Sequence, residues 1–137
     1  MTTLQEWFNN VYPTKEKREK VEITGNFNNF GEVLEPGPLD LSDYVNLKGL
    51  NIENHNLTSL NLSKNTKLEF LCFWDSQLVY FDLSNNPNVR SLNLSSNNLV
   101  SIDFLNTLPN PEKLELLYID NNNIRPADIN IFSKLLI

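Results

Sequence analysis

One cysteine, one histidine, one methionine and four glycines are all of those types that the 137 residues contain. A lone thiol, Cys72, builds no disulfide framework, so the fold needs no oxidising compartment. A single imidazole and a single thiol leave no His/Cys set at metal-ligand spacing, and neither a metal nor a cofactor is expected. Long apolar runs are missing too. Nothing approaches the roughly 20 consecutive apolar residues of a membrane span, and the opening MTTLQEWFNNVYPTKEKREK lacks the apolar centre of a secretory signal. Basic residues are few: 11 Lys and Arg stand against 17 Asp and Glu, for a net charge of -6. They form no stripe, which argues against a nucleic-acid partner. The expectation is a cytoplasmic chain, with an effector secreted by a non-standard route as the alternative, that has no nucleic-acid or membrane partner and is present as a monomer or weak dimer. Sequons at Asn56, Asn61 and Asn93 are what a chain rich in Asn and Ser yields by chance.

What is abundant is Leu and Asn, 23 of each, a third of the chain. Leucine accompanied by Asn instead of Glu and Lys argues against a coiled coil. So much apolar material argues against disorder, and the length suits one domain. Rows of 21 residues expose a repeat. Residues 47–67 read LKGLNIENHNLTSLNLSKNTK and 68–88 read LEFLCFWDSQLVYFDLSNNPN. Residues 89–113 form a longer row, 114–137 open as LELLYIDNNNI, and 18–46 fit a looser copy through Val21, Ile23 and LDLSDYVN. Five coils follow.

In each x-L-x-L stretch the period is two, so the Leu residues point inward and the x residues outward. The Asn column, as at Asn97 and Asn122, falls where the chain must turn, and its amide can satisfy backbone groups that a tight coil leaves unpaired. One coil cannot bury its own apolar side, so several must stack. His55 and Ser76 occupy the same column in earlier rows. No acid or nucleophile accompanies His55, so it reads as a hydrogen-bonding substitute in place of a catalytic base, and Ser76 as a thinner rung.

These rows carry L-x-x-L-x-L-x-x-N-x-L, matched fully by Leu92, Leu94, Asn97 and Leu99 and by Leu117, Ile119, Asn122 and Ile124. On that motif the chain resembles the leucine-rich repeat family, across residues 18–137. A second L-x-L about ten residues on (Leu60/Leu62, Phe81/Leu83, Ile102/Phe104) is similar to the short nested 21-residue IRREKO-type class. The expected fold class is α/β: a leucine-rich repeat solenoid of about five coils with a parallel concave β-sheet, little helix, and short helical caps at both ends. Residues 1–17 are assigned to the N-terminal cap and 18–137 to the solenoid, with a C-terminal cap from about 125.

Thr3 and Glu6 are spaced as a capping box, and Leu4, Trp7, Phe8, Val11 and Tyr12 recur at helical spacing up to Pro13. Trp7 and Phe8 are expected to cover the first coil in preference to forming a partner-binding stripe. Ile129, Phe132 and Leu136 would share one side of a short C-terminal helix packed on the last coil. A chain cut from a longer protein, or a contact with another chain, would also account for that apolar ending.

Stacked in register, the outward residues form three columns: Lys20, Gly49, Phe70, Ser91, Leu116; then Glu22, Asn51, Cys72, Asn93, Tyr118; then Thr24, Glu53, Trp74, Ser95, Asp120. One row breaks the polar pattern, because Phe70, Cys72 and Trp74 all point outward. Clustered exposed aromatic residues mark binding hot spots. The alternatives are a covering segment or a one-residue slip of register. Cys72 has no basic neighbour in these columns and reads as a passive thiol. The candidate partner-binding residues are therefore Phe70, Cys72, Trp74, Leu116, Tyr118, Asn51, Glu53, Asn93 and Asp120. No catalytic motif or poised carboxylate pair exists, so the chain is read as a non-enzyme. It is expected to be an interaction module for a protein or peptide, which the family resemblance also implies. The alternative is a structural, targeting or self-assembly domain of a larger protein.

Overall fold

The computed structural model describes residues 3–23, 37–53, 57–80 and 82–126. Thr3 accepts the Glu6 amide proton on Oγ1 (3.1 Å), while Glu6 Oε2 accepts the Thr3 N–H (3.0 Å), so the capping box forms and starts helix α1, Leu4–Val11. These bonds also hold the Glu6 carboxyl below its usual pKa. The helix stops before Pro13, and the Tyr12 N–H closes the last turn on Phe8 O (2.9 Å). A single 3-10 turn, Lys15–Lys17, leads into the repeats.

Among the described residues, seven short strands follow: β1 (Lys20–Ile23), β2 (Gly37–Asp40), β3 (Gly49–Glu53), β4 (Leu57–Asn61), β5 (Phe70–Trp74), β6 (Ser91–Asn93) and β7 (Leu116–Tyr118). Five make one parallel sheet in the order β1-β3-β5-β6-β7, and β2 pairs with β4 in a second parallel sheet on the far side of the coils. The register is the one the repeat implies. Gly49 lies opposite Phe70, Phe70 opposite Ser91, and Ser91 opposite Leu116, while Asn51, Cys72, Asn93 and Tyr118 fall in one line. No one-residue slip occurs, so the inward residues Leu50, Leu71 and Leu92 stack as a buried column beside Ile52 and Phe73. Leu4 and Phe8 of α1 join the same core.

The coils are held at their turns by asparagine. Asn97 Nδ2 donates to Phe73 O (2.6 Å), Leu94 O (3.1 Å) and Ser95 O (3.2 Å), and its Oδ1 accepts the Leu78 N–H (3.2 Å). Asn122 repeats the pattern one coil on, with Leu94 O, Ile119 O and the Leu99 N–H. At Ser76 the column is interrupted. Its buried Oγ has no partner, whereas His55 lies outside the described residues. The substitution Ser76→Asn is expected to raise unfolding stability by about 1 kcal/mol, because it restores hydrogen bonds each worth about that much net. Urea denaturation measures it; an unchanged or lower midpoint would mean the coil is too narrow there for the amide.

A second asparagine ladder runs along the opposite side of the coils. Asn65 Nδ2 donates to Leu41 O and Tyr44 O (both 2.9 Å), and Asn86 Nδ2 to Leu62 O (3.2 Å) and Asn65 O (2.9 Å). In the first coil buried Tyr44 takes the rung, donating its hydroxyl to Tyr12 O (2.8 Å) under the cap. The four extra residues of the fourth row are absorbed by two 3-10 turns, Asp103–Thr107 and Pro111–Lys113. Thr107 Oγ1 ties the first of them to the preceding coil through the Leu83 N–H (2.9 Å).

The N-terminal cap protects an edge as well as a core. The Gln5 side chain meets the outer edge of β2 with both ends of its amide: Oε1 accepts the Asp40 N–H (2.6 Å) and Nε2 donates to Asp40 O (3.2 Å). An unpaired strand edge is a template for aggregation, and this amide occupies it. Trp7 is partly buried against the core, as a covering residue should be. Of the segment expected to form the C-terminal cap, about 125–137, residues 127–137 lie outside the described residues, as does the Thr24 position of the third outward column.

Along the start of the concave strands runs a column of alternating charge: Glu19, Lys48, Glu69, Arg90, Glu115. Each backbone N–H in it donates to the carbonyl of the residue before (2.7 to 2.8 Å), so the side chains are direct neighbours. Lys48 pairs with Glu19 at 3.3 Å, and Arg90 pairs with Glu115.

Candidate functional site

The concave sheet brings together every residue that the repeat placed outward on β3, β5, β6 and β7. Phe70 is 52% exposed, Trp74 40%, Leu116 50% and Tyr118 51%. Among the described residues, nothing covers them. Phe70, Cys72 and Trp74 form a ridge down β5. On β6 the matching positions are Ser91 and Asn93, both partly buried, and on β7 they are Leu116 and Tyr118. The small β6 residues thus make a trough between two apolar walls that stand about 10 Å apart, two strand spacings. On the other side of the ridge, Gly49 leaves a notch between Lys20 and Phe70. A groove of about 670 Å³ runs across this floor, bounded by Glu19 and Lys48 at one end and by Tyr118 at the other.

Polar groups on the face are partly organised. Asn93 Oδ1 accepts the Ser95 N–H (3.2 Å). Asn51 Nδ2 donates to Glu53 Oε1 (3.2 Å), while its Oδ1 is enclosed without a partner. Asp120 accepts the hydroxyl of Ser95 and the side-chain amide of Asn121 (3.3 Å). At the rim the chain turns through the left-handed region at Asp75 (φ 55), Ser96 (φ 56) and Asn121 (φ 54), the same position in three successive coils. Such a φ costs a side-chain-bearing residue about 1 kcal/mol and favours Asn and Asp among them.

Burial pushes the Cys72 thiol above its ordinary pKa, and the nearby Glu53 charge pushes it the same way. Fewer thiolates exist at neutral pH, so alkylation by iodoacetamide at pH 7.5 is expected to run several-fold slower, about 3-fold or more, than for free cysteine. The rate should recover only as pH rises past the displaced pKa. A rate equal to that of free cysteine at pH 7.5 would contradict this. Among the described residues, no group of three His, Cys, Asp or Glu side chains is placed to hold a metal, and no helix is long and apolar enough to cross a membrane.

Parallel strands repeated once per coil, inward leucine columns and an asparagine ladder define a leucine-rich repeat solenoid. No family model matches the chain, and no curated protein matches it. Among solved structures it is similar to an internalin (inlF) of Listeria monocytogenes, with a TM-score of 0.63 and 25% identity. The likeness covers 69% of this chain and 28% of that one, so the chain spans little more than a quarter of the internalin. That internalin is itself a leucine-rich repeat protein, which agrees with the family resemblance carried by the motif.

Proposed function

We propose that the protein is a non-catalytic interaction module that binds a protein or peptide across the concave sheet, with Phe70, Trp74, Leu116 and Tyr118 as the apolar anchors. The observation that carries this reading is the Phe70–Cys72–Trp74 ridge. A solvated sheet face normally shows polar residues, as Asn51 and Asn93 do, and here one strand presents two exposed aromatic rings instead. Aromatic residues of this kind supply most of the energy in protein interfaces. The trough on β6 gives a partner side chain a place to seat between the walls. Sequence spacing further supports the short nested class: twenty-one residues separate Gly49 from Phe70 and Phe70 from Ser91.

A self-assembly role is the competing reading, in which the same ridge would be buried between two copies. Affinity capture followed by the Phe70→Ser/Trp74→Ser double variant separates them. Loss of about tenfold or more in affinity for the captured partner, with an unchanged thermal midpoint, is expected from removing two anchors. Unchanged affinity in a folded double variant would remove the concave ridge from consideration. A wild-type dimer that the double variant converts to monomer, seen by light scattering, would instead support self-assembly.

A further inference from the structure

Charge is distributed unequally between the two ends of the concave strands. At the strand starts, Lys48 is paired with Glu19 and Arg90 with Glu115, so positive and negative groups offset each other. At the strand ends stand Glu53, Asp75 and Asp120, and no Lys or Arg is paired with any of them among the described residues. Trp74 lies among these acids. Glu53 is its register partner on β3, Asp75 follows it in the chain, and Asp120 is two strands over, with Ser95 between. Trp74 and both aspartates are exposed, and Glu53 is partly buried with its carboxylate held by the Asn51 amide.

An indole face attracts cations through its quadrupole, and adjacent carboxylates add Coulomb attraction. Guanidinium and ammonium groups satisfy both at once, with a stem that lies on apolar surface. A carboxylate or phosphate would be repelled, and a neutral side chain would leave the acids without a counter-charge. We infer that the strand-end rim of the concave face, formed by Glu53, Trp74, Asp75 and Asp120, takes an arginine or lysine side chain from an extended segment of a protein partner. The inference rests on the concave-face reading above and adds the chemistry of the partner. The net charge of -6 favours the approach of such a segment as well. The Phe70 end of the ridge would hold an apolar side chain of the same segment, since an extended chain places alternate residues on the same side.

The test uses the isotopically labelled chain and the indole N–H resonance of Trp74, with that of Trp7 in the cap as an internal control. Three blocked peptides share one alternating pattern, with Leu and Tyr at the apolar positions and only Arg, only Glu or only Ser at the others. The arginine peptide is expected to shift the Trp74 signal and to bind at least about tenfold more tightly than the glutamate peptide. Its affinity should fall about fivefold in Glu53→Gln/Asp75→Asn, and again when salt is raised from about 0.05 to 0.5 M. Gln can still accept the Asn51 amide, and Asn tolerates the left-handed turn, as Asn121 does at the equivalent position two coils on. Unchanged backbone signals at Leu71 and Leu92 establish that this variant folds. A serine peptide that binds as tightly as the arginine peptide, or an arginine affinity untouched in the variant, overturns the cationic inference and leaves the groove reading standing. If no peptide shifts any concave-face resonance, both fall.

Discussion

Phe8→Ala is expected to lower unfolding stability by about 4 kcal/mol, within the range that buried phenylalanines lose on truncation. The ring is fully buried and meets Tyr12 at 5.1 Å and the edge of Tyr44 at 5.2 Å between centroids. Removing it leaves a cavity between the cap and the first coil, too apolar for water to fill with good hydrogen bonds. The loss should not be uniform. Helix α1 has eight residues, too short to persist alone, so it is expected to detach once its main anchor is gone. Gln5 would then leave the edge of β2, and Tyr12 O would leave the Tyr44 hydroxyl. Fluorescence of Trp7 should report this release at lower urea than the circular dichroism of the sheet does. Val11→Ala on the exposed side of the same helix should change stability by less than about 0.5 kcal/mol. Coincident transitions in Phe8→Ala, with a loss below about 1 kcal/mol, would show that the cap does not depend on this residue.

The second large effect is expected at Asn97→Ala, a loss of about 3 kcal/mol. The Phe73 carbonyl would lose the Asn97 amide and the Leu78 N–H its acceptor, while Leu94 O keeps the Asn122 amide and Ser95 O the Asp75 N–H. Leaving buried backbone groups unsatisfied costs about 1–3 kcal/mol each before relaxation and water entry reduce the sum. The position matters beyond its magnitude. Asn97 joins the coil that contains β5 to the one that contains β6, and stability in a stacked array depends on such nearest-neighbour terms. Weakening one of them should broaden the urea transition, because the two halves of the stack then melt less cooperatively. Asn93→Ala is the matched control: four residues away on the concave face, Asn93 makes one bond to the Ser95 N–H, and its loss should cost about 0.5 kcal/mol. If the two variants are equally stable, the ladder contributes nothing that a concave-face Asn does not.

That contrast also shows what could be read from the chain before its structure. The period-two Leu pattern fixes which side chains face in, and a slip of one residue would have turned Leu50, Leu71 and Leu92 out to water. The concave columns were therefore legible strand by strand, including the outward row at Phe70, Cys72 and Trp74. The ladder through Asn97 and Asn122 was legible because the motif repeats it in register. Its counterpart through Asn65 and Asn86 was not, although both stand in the same Leu-Ser-x-Asn string. Tyr44 replaces the first rung with a ring, and the four-residue insertion displaces the rung after Asn86, so the column never recurs cleanly. The alternating charges were hidden for a different reason: Glu19, Lys48, Glu69, Arg90 and Glu115 make sense only once strand neighbours are known. The charge at the strand ends was least legible, since the inward pattern places no demand on outward residues such as Glu53 and Asp120.

The alternating column has a consequence for how such a chain can grow. Each coil carries one charge at that position, and its sign is the opposite of its neighbours'. Duplicating or deleting a single coil would set two like charges side by side at the new junction. Duplicating a consecutive pair would preserve the alternation throughout. The protein thus has a parity: its length is most easily changed two coils at a time, and a chain that gained one alone would need a compensating charge reversal beside the seam.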